Sequence, residues 1–262
     1  FFFSCIKLYY FLLRNKNSIV HSFMPLSNFV GSVFSKLAGI ETIFVSKRGL
    51  AKHQDKNFLW KYFDNLSFFL CKKIIVNSKA AISDAVVRNK IKLDKVITIY
   101  NGVEIENFKQ VSNHRKVIRK KLGLSRNCFA WVKVASLADF KGHEYVIKAF
   151  CEISKDHNVK LFLIGRDRGS KKKLSKLVKD LNIRKKVLFI SNINNIPIFL
   201  SAMDGFVFYS LSESFPNAVL EALFSKLPIV STRVGGIPEM LKSKTGILVN
   251  EKNLNELKSS MN

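Results

Sequence analysis

Two glutamates in the second half of this chain lie on either side of a predicted helix start. Glu213 lies in a polar loop after an apolar run at residues 205–209, and Glu221 lies in a helix that we predict to start near Pro216. Asn217 and Glu221 share one face of that helix. A helix N-terminus favours an anion such as a phosphate, while the carboxylates can accept hydrogen bonds from sugar hydroxyls. The pattern also fits an ordinary strand, loop and helix with two solvated glutamates.

A lysine beside a glycine adds a positive charge to this pattern. Lys141 and Gly142 lie where a loop meets a predicted helix, so the lysine can offer its charge to a phosphate and the glycine lets the backbone come close. A single loop lysine among 44 basic residues is more often simply solvated. Gly235 and Gly236 form a turn before a helix start at Ile237, where backbone N–H groups can also approach a ligand.

The elements that must position these residues alternate between strands and helices, which is typical of crossover units and a parallel sheet. In the first half we predict helices at 1–14, 28–37, 59–69 and 78–89, and strands at 18–22, 42–45, 73–77 and 96–100. In the second half we predict helices at 115–122, 142–153, 171–181, 196–202, from 216 and from 237, and strands at 128–134, 159–164, 187–190, 205–209 and 228–231.

Ligands of open parallel sheets bind outside the carboxyl ends of the strands. The six loops that follow the predicted strands and carry polar residues or glycine are Asn101–Gly102, Ser136–Gly142, Gly165–Gly169, Ser191–Asn194, Tyr209–Asn217 and Thr232–Gly236. Because five of the six lie in the second half, we expect that half to hold the ligand. A polar segment at 103–112 marks the boundary between two domains, 1–107 and 108–262.

The charge of the chain points to an anionic partner. A net charge of +25 attracts anionic membranes, nucleic acid or phosphorylated ligands. The sequence has no helix-turn-helix pattern, zinc spacing or ribonucleoprotein motif, so we expect no nucleic acid partner. Two explanations of the charge stay open: the protein binds an anionic membrane surface, or the basic composition has no meaning for partners.

The cysteines indicate the redox compartment and the chance of a metal site, and the N-terminal apolar run indicates how the chain relates to a membrane. The four cysteines are scattered without a Cys-x-x-Cys pair, which favours free thiols in a reducing cytosol over a metal site. The apolar run at the N-terminus is too short to span a bilayer, lacks the basic start of a signal peptide and reads as a buried or interfacial helix. We therefore expect a cytoplasmic protein, peripheral on the inner face of the cell membrane, and the start without Met suggests a fragment.

Taken as a whole, residues 210–241 resemble the donor-site signature of family 4 glycosyltransferases, retaining enzymes of the GT-B fold that use nucleotide-diphosphate sugars. Glu213 and Glu221 are separated by seven residues, with Phe-Pro-Asn inside the gap and Pro-Ile-Val and Gly-Gly-Ile-Pro-Glu behind it. The Lys-Gly pair at 141–142 precedes a helix that ends in Ala149-Phe150, as in the family. The likeness extends into the first half at Asn77-Ser78 and at residues 100–103.

The resemblance implies a fold and roles for the site residues. It implies an α/β protein of two Rossmann-like, doubly wound parallel-sheet domains that face a cleft, the first domain lacking its opening strand, loop and helix. Glu213 would contact the transferred sugar, Lys141 the diphosphate and Glu221 the ribose hydroxyls. The other donor-binding residues would be Ser214, Phe215, Pro216, Asn217, Ala218, Gly142, Gly165, Arg166, Asn101, Gly102, Gly235 and Gly236.

The same resemblance implies catalysis without a metal or other cofactor. Fixed backbone dipoles and the lysine would stabilise the leaving diphosphate, and the chain has no Asp-x-Asp pair to anchor Mg²⁺ or Mn²⁺. The family usually has an arginine where this chain has Ser136, and Arg166 is a candidate substitute. His21 reads as a satisfied polar residue near a strand end, and where relatives carry a second histidine this chain offers only Arg48.

The implied function is retaining transfer of a sugar from a nucleotide-diphosphate sugar to an acceptor hydroxyl. The acceptor would be a glycan or a lipid-linked glycan, in lipopolysaccharide, capsule or other surface-glycan synthesis. Two alternatives stay open at this point. One is a GT-B nucleotide-sugar epimerase, and the other is an inactive basic fragment that associates with a membrane or nucleic acid.

Overall fold

The computed structural model describes residues 2–50, 58–109, 111–191 and 193–262. It divides into two compact units, Phe1–Asn101 and Gly102–Asn262. The division falls a few residues before the predicted boundary at 107/108. Residue 1 of the first predicted helix, residue 110 of the predicted boundary segment and residue 192 of the predicted loop 191–194 lie outside the described residues.

The first unit is a parallel sheet in sequential order, β1-β2-β3-β4. Its strands are β1 (Val20–Phe23), β2 (Ile43–Lys47), β3 (Lys73–Val76) and β4 (Val96–Thr98), and its helices are α1 (Phe2–Arg14), α2 (Pro25–Leu37), α3 (Phe58–Leu70) and α4 (Lys79–Ser83). A π-helical turn, Asp84–Arg88, continues α4 where one long helix was predicted. The inward residues of β2 and β3, among them Ile43, Val45, Ile74 and Val76, are fully buried and form the core.

The second unit is a six-stranded parallel sheet with the order β10-β9-β8-β5-β6-β7. The strands are β5 (Phe129–Val134), β6 (Val159–Ile164), β7 (Val187–Ile190), β8 (Gly205–Phe208), β9 (Ile229–Thr232) and β10 (Ile247–Val249). The chain runs outward from β5 to β7, returns to pair β8 against β5, and then runs outward in the other direction. The strand order therefore reverses between β5 and β8, which is the place where open α/β sheets bind ligands.

Helices cover both faces of this sheet. They are α5 (Arg115–Lys121), α6 (His143–Asp156), α7 (Lys171–Asp180), α8 (Ile196–Leu200), α9 (Asn217–Phe224), α10 (Ile237–Met240) and α11 (Leu254–Met261). Side chains alternate between the faces along a strand. Trp131 of β5 accordingly joins one hydrophobic cluster with α6, α7 and α11, while Ala130 and Val132 join a second cluster on the opposite face. The unit is thus doubly wound, as expected.

Most predicted elements are present within one to three residues of their expected bounds, and the differences have local causes. Strand β2 ends at Lys47, two residues later than predicted, and the buried Lys47 ammonium lies 3.0 Å from the carboxylate of Asp84. Pro216 precedes α9 as its N-cap residue with extended backbone, so the helix proper begins at Asn217. The sequence patterns missed β10 and α11. Among the described residues, no helix has the length and apolar character needed to cross a membrane.

Candidate functional site

A lysine and a glutamate from distant parts of the chain meet at the carboxyl edge of the second sheet. Lys141 ends a 3₁₀ turn before α6, and Glu213 lies in the loop between β8 and α9. The Lys141 Nζ is 2.5 Å from the Glu213 Oε1, and the two side chains are only 19% and 10% exposed. A charge-assisted hydrogen bond with this little exposure is stronger than a surface ion pair. The structure therefore brings together the two residues that were predicted to act in chemistry.

Backbone hydrogen bonds hold the two loops side by side. The Leu211 N–H donates to the Phe140 carbonyl oxygen over 2.9 Å. The Ser210 N–H donates to the Thr232 hydroxyl over 3.0 Å, and that hydroxyl donates back to the Ser210 carbonyl over 2.9 Å. We call residues 210–213 the Glu213 loop. These bonds fix its start between the 3₁₀ turn and β9, so the position of Glu213 is set before any ligand arrives.

Gly142 permits the close approach of the lysine turn to β8. Its backbone is left-handed, with φ of 61°. A Cβ at this position would lie 2.6 Å from the Tyr209 Cδ1 and 2.9 Å from the Tyr209 carbonyl oxygen, nearer than real Cβ atoms come. Gly142 is therefore required by packing as well as by backbone conformation. The chain thus approaches itself closely at Gly142, while the predicted approach of a ligand there stays a prediction.

The segment Ser214–Ala218 leads into the N-terminus of α9. Ser214 and Phe215 are buried, and the Ser214 carbonyl accepts a hydrogen bond from the Gly236 N–H over 2.8 Å. Asn217 is exposed at the first position of the helix, and the Val219 N–H of the first turn donates to the Pro216 carbonyl over 3.1 Å. Gly235, with φ of 53°, makes the turn that brings Gly236 to this segment. The predicted residues of these two loops are thus neighbours.

Glu221 lies one turn into α9 and is partly buried. Burial raises the pKa of its carboxyl group above the ordinary value. Within the part of the chain that the structure describes, no cation or hydrogen-bond donor contacts this carboxylate. A carboxyl group that is partly desolvated and has open acceptor positions suits hydroxyl donors from a ligand.

Gly165 and Arg166 follow β6 and lie against the end of β5. The Leu137 N–H donates to the Arg166 carbonyl over 2.9 Å. A Cβ on Gly165 would lie 2.0 Å from the Ala135 carbonyl oxygen, so only glycine fits. The Arg166 side chain is exposed, and its role as a substitute for the family arginine stays a prediction. At Ser136, where the family usually has an arginine, the backbone carbonyl oxygen lies 3.0 Å from the His143 Nε2.

Asn101, Arg48 and His21 belong to the first unit. Asn101 accepts a hydrogen bond from the Arg48 guanidinium over 2.5 Å, and Gly102 begins the second unit. The His21 Nε2 lies 2.9 Å from the Ser46 hydroxyl, as expected for a satisfied polar residue. Burial, with help from the nearby charge of Arg48, lowers the pKa of His21. The predicted role of Asn101 and Gly102 at a donor stays a prediction.

Sequence reasoning missed a buried lysine beneath the Glu213 loop. Lys133 of β5 is fully buried, and its Nζ donates to the Tyr209 carbonyl oxygen over 2.8 Å and lies 4.9 Å from the centre of the Phe208 ring. Burial lowers its pKa to about 7, with the positive charge of Lys141 acting in the same direction and the negative charge of Glu213 opposing both. The available signal was a charged residue inside a strand of a parallel sheet, where both faces are covered.

A second buried basic residue, His143, opens α6. Burial lowers its pKa to about 3, and the nearby charges of Lys133 and Lys141 contribute in the same direction, while its hydrogen bond to Ser136 opposes them. The imidazole is therefore neutral near pH 7, with the proton on Nε2, because a carbonyl oxygen can only accept. The surroundings of the Glu213 loop thus hold two ammonium-bearing side chains, the Glu213 carboxylate and a neutral imidazole, and the Glu221 carboxyl group lies one turn into α9.

Comparison with known protein families identifies the class of this site. The sequence profile described as "Glycosyl transferases group 1" matches residues 114–262, which is more than half of the chain. The chain belongs to this family. The match covers β5 to α11 and so includes Lys141, Glu213 and Glu221. The family and its relatives support a transferase enzyme, and the two parallel-sheet α/β units are those of the GT-B fold, as predicted.

Curated relatives carry glycosyltransferase names. A UDP-Gal:alpha-D-GlcNAc-diphosphoundecaprenol alpha-1,3-galactosyltransferase of Escherichia coli is 27% identical over 267 residues, which is 99% of this chain and 68% of that protein. An N-acetyl-alpha-D-glucosaminyl L-malate synthase of Bacillus anthracis is 30% identical over 173 residues, 64% of this chain and 45% of that protein. This chain therefore spans about two thirds of the first relative and less than half of the second.

Solved structures show the same fold. Anabaena HepE in complex with UDP-glucose superposes with a TM-score of 0.85 over 96% of this chain and 70% of that chain, at 21% sequence identity. WaaG, a glycosyltransferase involved in lipopolysaccharide biosynthesis, gives a TM-score of 0.72 over 83% of this chain and 64% of that chain, at 20% identity. At these identities the likeness establishes the fold and leaves the substrates open.

Proposed function

We propose that this group 1 glycosyltransferase moves a sugar from a nucleotide-diphosphate sugar to an acceptor hydroxyl, with retention at the anomeric carbon in the manner of family 4. The observation that carries the proposal is the partly buried pair of Lys141 and Glu213 where the strand order of the second sheet reverses. The complexes of Anabaena HepE with UDP and UDP-glucose support a nucleotide-diphosphate sugar as donor.

The proposed roles follow from charge and hydrogen-bonding capacity. Lys141 donates to the diphosphate and offsets the negative charge that grows on it as the bond to the sugar breaks. Glu213 is an acceptor-only group beside that lysine, so it suits the hydroxyls of the transferred sugar. The positive end of the α9 dipole suits the diphosphate, and Glu221 suits the ribose hydroxyls. We propose that these groups suffice without a metal ion, with His143 neutral beneath them.

The proposed acceptor is a glycan or a lipid-linked glycan of the cell surface. The Escherichia coli relative is named for a diphosphoundecaprenol acceptor, and another relative, 26% identical over 257 residues, is a capsular polysaccharide biosynthesis glycosyltransferase of Staphylococcus aureus. We also propose that the protein is cytoplasmic and works at the inner face of the membrane. Helix α1 supports this, because it exposes aromatic residues, among them Phe3 and Phe11, beside the exposed Lys7.

Replacing the central ion pair tests the proposal. We expect Lys141→Ala and Glu213→Ala each to lower transfer or donor hydrolysis by roughly a hundredfold or more, the loss typical when one charged or hydrogen-bonding group is removed from a transition state. The measurement is release of UDP or GDP from a panel of nucleotide sugars, with and without a lipid-linked acceptor.

The chain offers a matched control for this experiment. Lys148 and Glu144 form another lysine–glutamate pair in the same unit at 2.7 Å, with side chains 45% and 37% exposed. Lys148→Ala and Glu144→Ala should leave turnover unchanged. Equal activity of site and control variants would refute the assignment. Interconversion of nucleotide sugars without acceptor would indicate an epimerase, and salt-sensitive binding to membranes or nucleic acid without affinity for nucleotide sugars would indicate an inactive module. The names of the relatives favour neither alternative.

A further inference from the structure

Lys133 forms the floor of the site described above and has no role in the proposed function so far. A lysine inside a hydrophobic sheet is costly, because its ammonium gives up its hydration. Here the side chain lies wholly inside the second unit, between the Phe208 ring and the Tyr209 carbonyl. A methionine would fill the same space without the cost of the charge. The charge therefore calls for a functional explanation.

The hydrogen bond of Lys133 completes the fixation of Tyr209. The Tyr209 hydroxyl accepts a hydrogen bond from the Lys252 N–H over 2.5 Å, and its ring stacks on Tyr145 with centroids 4.7 Å apart. The Lys133 ammonium holds the carbonyl at the other end of the residue. Because Tyr209 is the residue immediately before the Glu213 loop, a fixed Tyr209 carbonyl fixes the direction in which that loop leaves β8.

The electrostatic surroundings of Lys133 favour an anionic ligand. The titratable groups that act on it are Glu213, from the loop after β8, and Lys141, from the turn before α6, while His143 of α6 is influenced by Lys133 and is neutral near pH 7. Two lysines against one glutamate leave a positive balance whenever Lys133 carries its proton. Since its pKa is lowered to about 7, an anion bound nearby will raise the proton occupancy of Lys133.

We infer that Lys133 is a positioning residue of the proposed donor site, whose buried ammonium orients the Glu213 loop through the Tyr209 carbonyl and gains a proton when a nucleotide diphosphate binds. The inference rests on the proposed function for the identity of the ligand, and on the structure alone for the orientation of the loop. The two parts are tested separately.

The first test needs no ligand. Lys133→Met removes the donor to Tyr209 while keeping the length of the side chain, and amide hydrogen exchange is measured at Leu211 and its neighbours. Lys160→Met is the matched control, because Lys160 of β6 also donates to a backbone carbonyl, that of Gly123, over 3.2 Å. We expect exchange in the Glu213 loop to be about tenfold faster in Lys133→Met and unchanged in Lys160→Met. Equal exchange in both variants would overturn the positioning role.

The second test follows the proton. Calorimetric titration with UDP at pH 7.5, in two buffers of different ionisation enthalpy, gives the number of protons taken up per UDP bound. Any protons that UDP itself gains or loses contribute equally to the measurements on wild type and the two variants, so they cancel in the comparison. We expect wild type and Lys160→Met to take up a fraction of a proton more than Lys133→Met, and Lys133→Met to bind UDP roughly five- to tenfold more weakly. Identical proton uptake and affinity in all three would overturn this part.

A measurement on wild type keeps the test decisive if Lys133→Met does not fold. UDP affinity should fall as the pH rises from 7.5 to 8.5, above the range in which the UDP phosphate itself titrates, since free Lys133 is then largely unprotonated and binding must restore its proton. An affinity that stays flat or rises across the range contradicts the inference. If wild type does not bind UDP at all, the donor assignment and the proton uptake both fail, and the exchange experiment still decides the positioning role.

Discussion

At the candidate site, one glycine allows two chain segments to come close together. Lys141 and Glu213 meet because the turn that carries the lysine packs directly on Tyr209 at the end of β8. That packing depends on the absence of a side chain at Gly142. A glycine that allows this packing is therefore as necessary to the site as the two charged groups.

Substitution of Gly142 should be more costly than that of an ordinary left-handed glycine. In Gly142→Ala the added Cβ meets the Tyr209 carbonyl, so we expect a loss of about 2–4 kcal/mol in the free energy of unfolding, measured with urea. Gly123→Ala is the control, since Gly123 has φ of +59° and nothing lies within 4 Å of an added Cβ. The control should lose only about 1 kcal/mol, the strain of the left-handed backbone. Equal losses would show that the turn relaxes away from Tyr209.

At the level of elements, helix α5 is tied to the sheet by one carboxylate. Asp204, just before β8, accepts hydrogen bonds from the Arg115 and Arg119 guanidinium groups over 2.5 and 2.7 Å, and from the Ala130 N–H over 2.8 Å. Burial alone would raise its pKa, but these hydrogen bonds from Ala130, Arg115 and Arg119 outweigh burial and lower the pKa below the ordinary value. The carboxylate is thus more acidic in the folded protein than in the unfolded chain.

Asp204→Asn should therefore destabilise the second unit in a pH-dependent way. A carboxyl group with a depressed pKa in the folded state stabilises the protein above its unfolded-state pKa near 4 and ceases to do so as the pH falls through the folded value. We expect a loss of about 2–4 kcal/mol at pH 7 that shrinks below pH 4, measured by urea unfolding. Glu152→Gln, at an exposed pair with Lys155, should change the free energy of unfolding little at any pH. A difference between Asp204→Asn and wild type that does not change with pH would contradict this account.

The elements that could be predicted from sequence are those whose pattern is strong over many residues. The apolar runs of β6 and β8 were placed nearly to the residue, and the periodic helix α6 was placed to within three residues. Strand β10 has three residues and one exposed isoleucine, Ile247, so it carries no detectable period. Helix α11 is short and rich in polar residues. Their assignment depends on pairing and packing partners elsewhere in the chain.

The same distinction applies within the site. Lys141 and Glu213 were found because residue type and spacing together form a recognisable string. Lys133 was not, because a single lysine within a strand does not reveal which distant carbonyl its ammonium meets, and only the three-dimensional structure shows that. The two residues of this hydrogen bond are 76 positions apart, so no local sequence pattern indicates that they interact.

At the scale of the whole molecule, the dominant property is the charge of +25. Such a charge promotes association with any anionic surface, so it does not by itself identify a membrane-binding face. A specific face requires apolar groups that can enter the lipid next to basic ones. Helix α1 has both, with Phe3, Tyr10 and Phe11 at 79%, 60% and 63% exposure and Lys7 beside them.

Replacing these aromatics distinguishes insertion from general attraction. We expect the triple variant Phe3→Ser, Tyr10→Ser, Phe11→Ser to weaken binding to phosphatidylglycerol vesicles by about tenfold or more in sedimentation assays, because the net charge is kept and only apolar burial is lost. Tyr62→Ser with Phe69→Ser removes exposed aromatics from α3 of the same unit and should have little effect. Equal weakening by both sets would mean that no particular helix is responsible.

The reversal of strand order in the second unit has a consequence for how the protein matures. The lysine turn follows β5 and the Glu213 loop follows β8, and these strands become neighbours only after the chain has built β6 and β7 and come back. Until β8 pairs with β5, the lysine turn lies at an unpaired strand and the Glu213 loop has no fixed place beside it. The proposed nucleotide affinity should thus be among the last properties that a newly made chain acquires. A nucleotide sugar would then stabilise only molecules in which β8 has paired with β5.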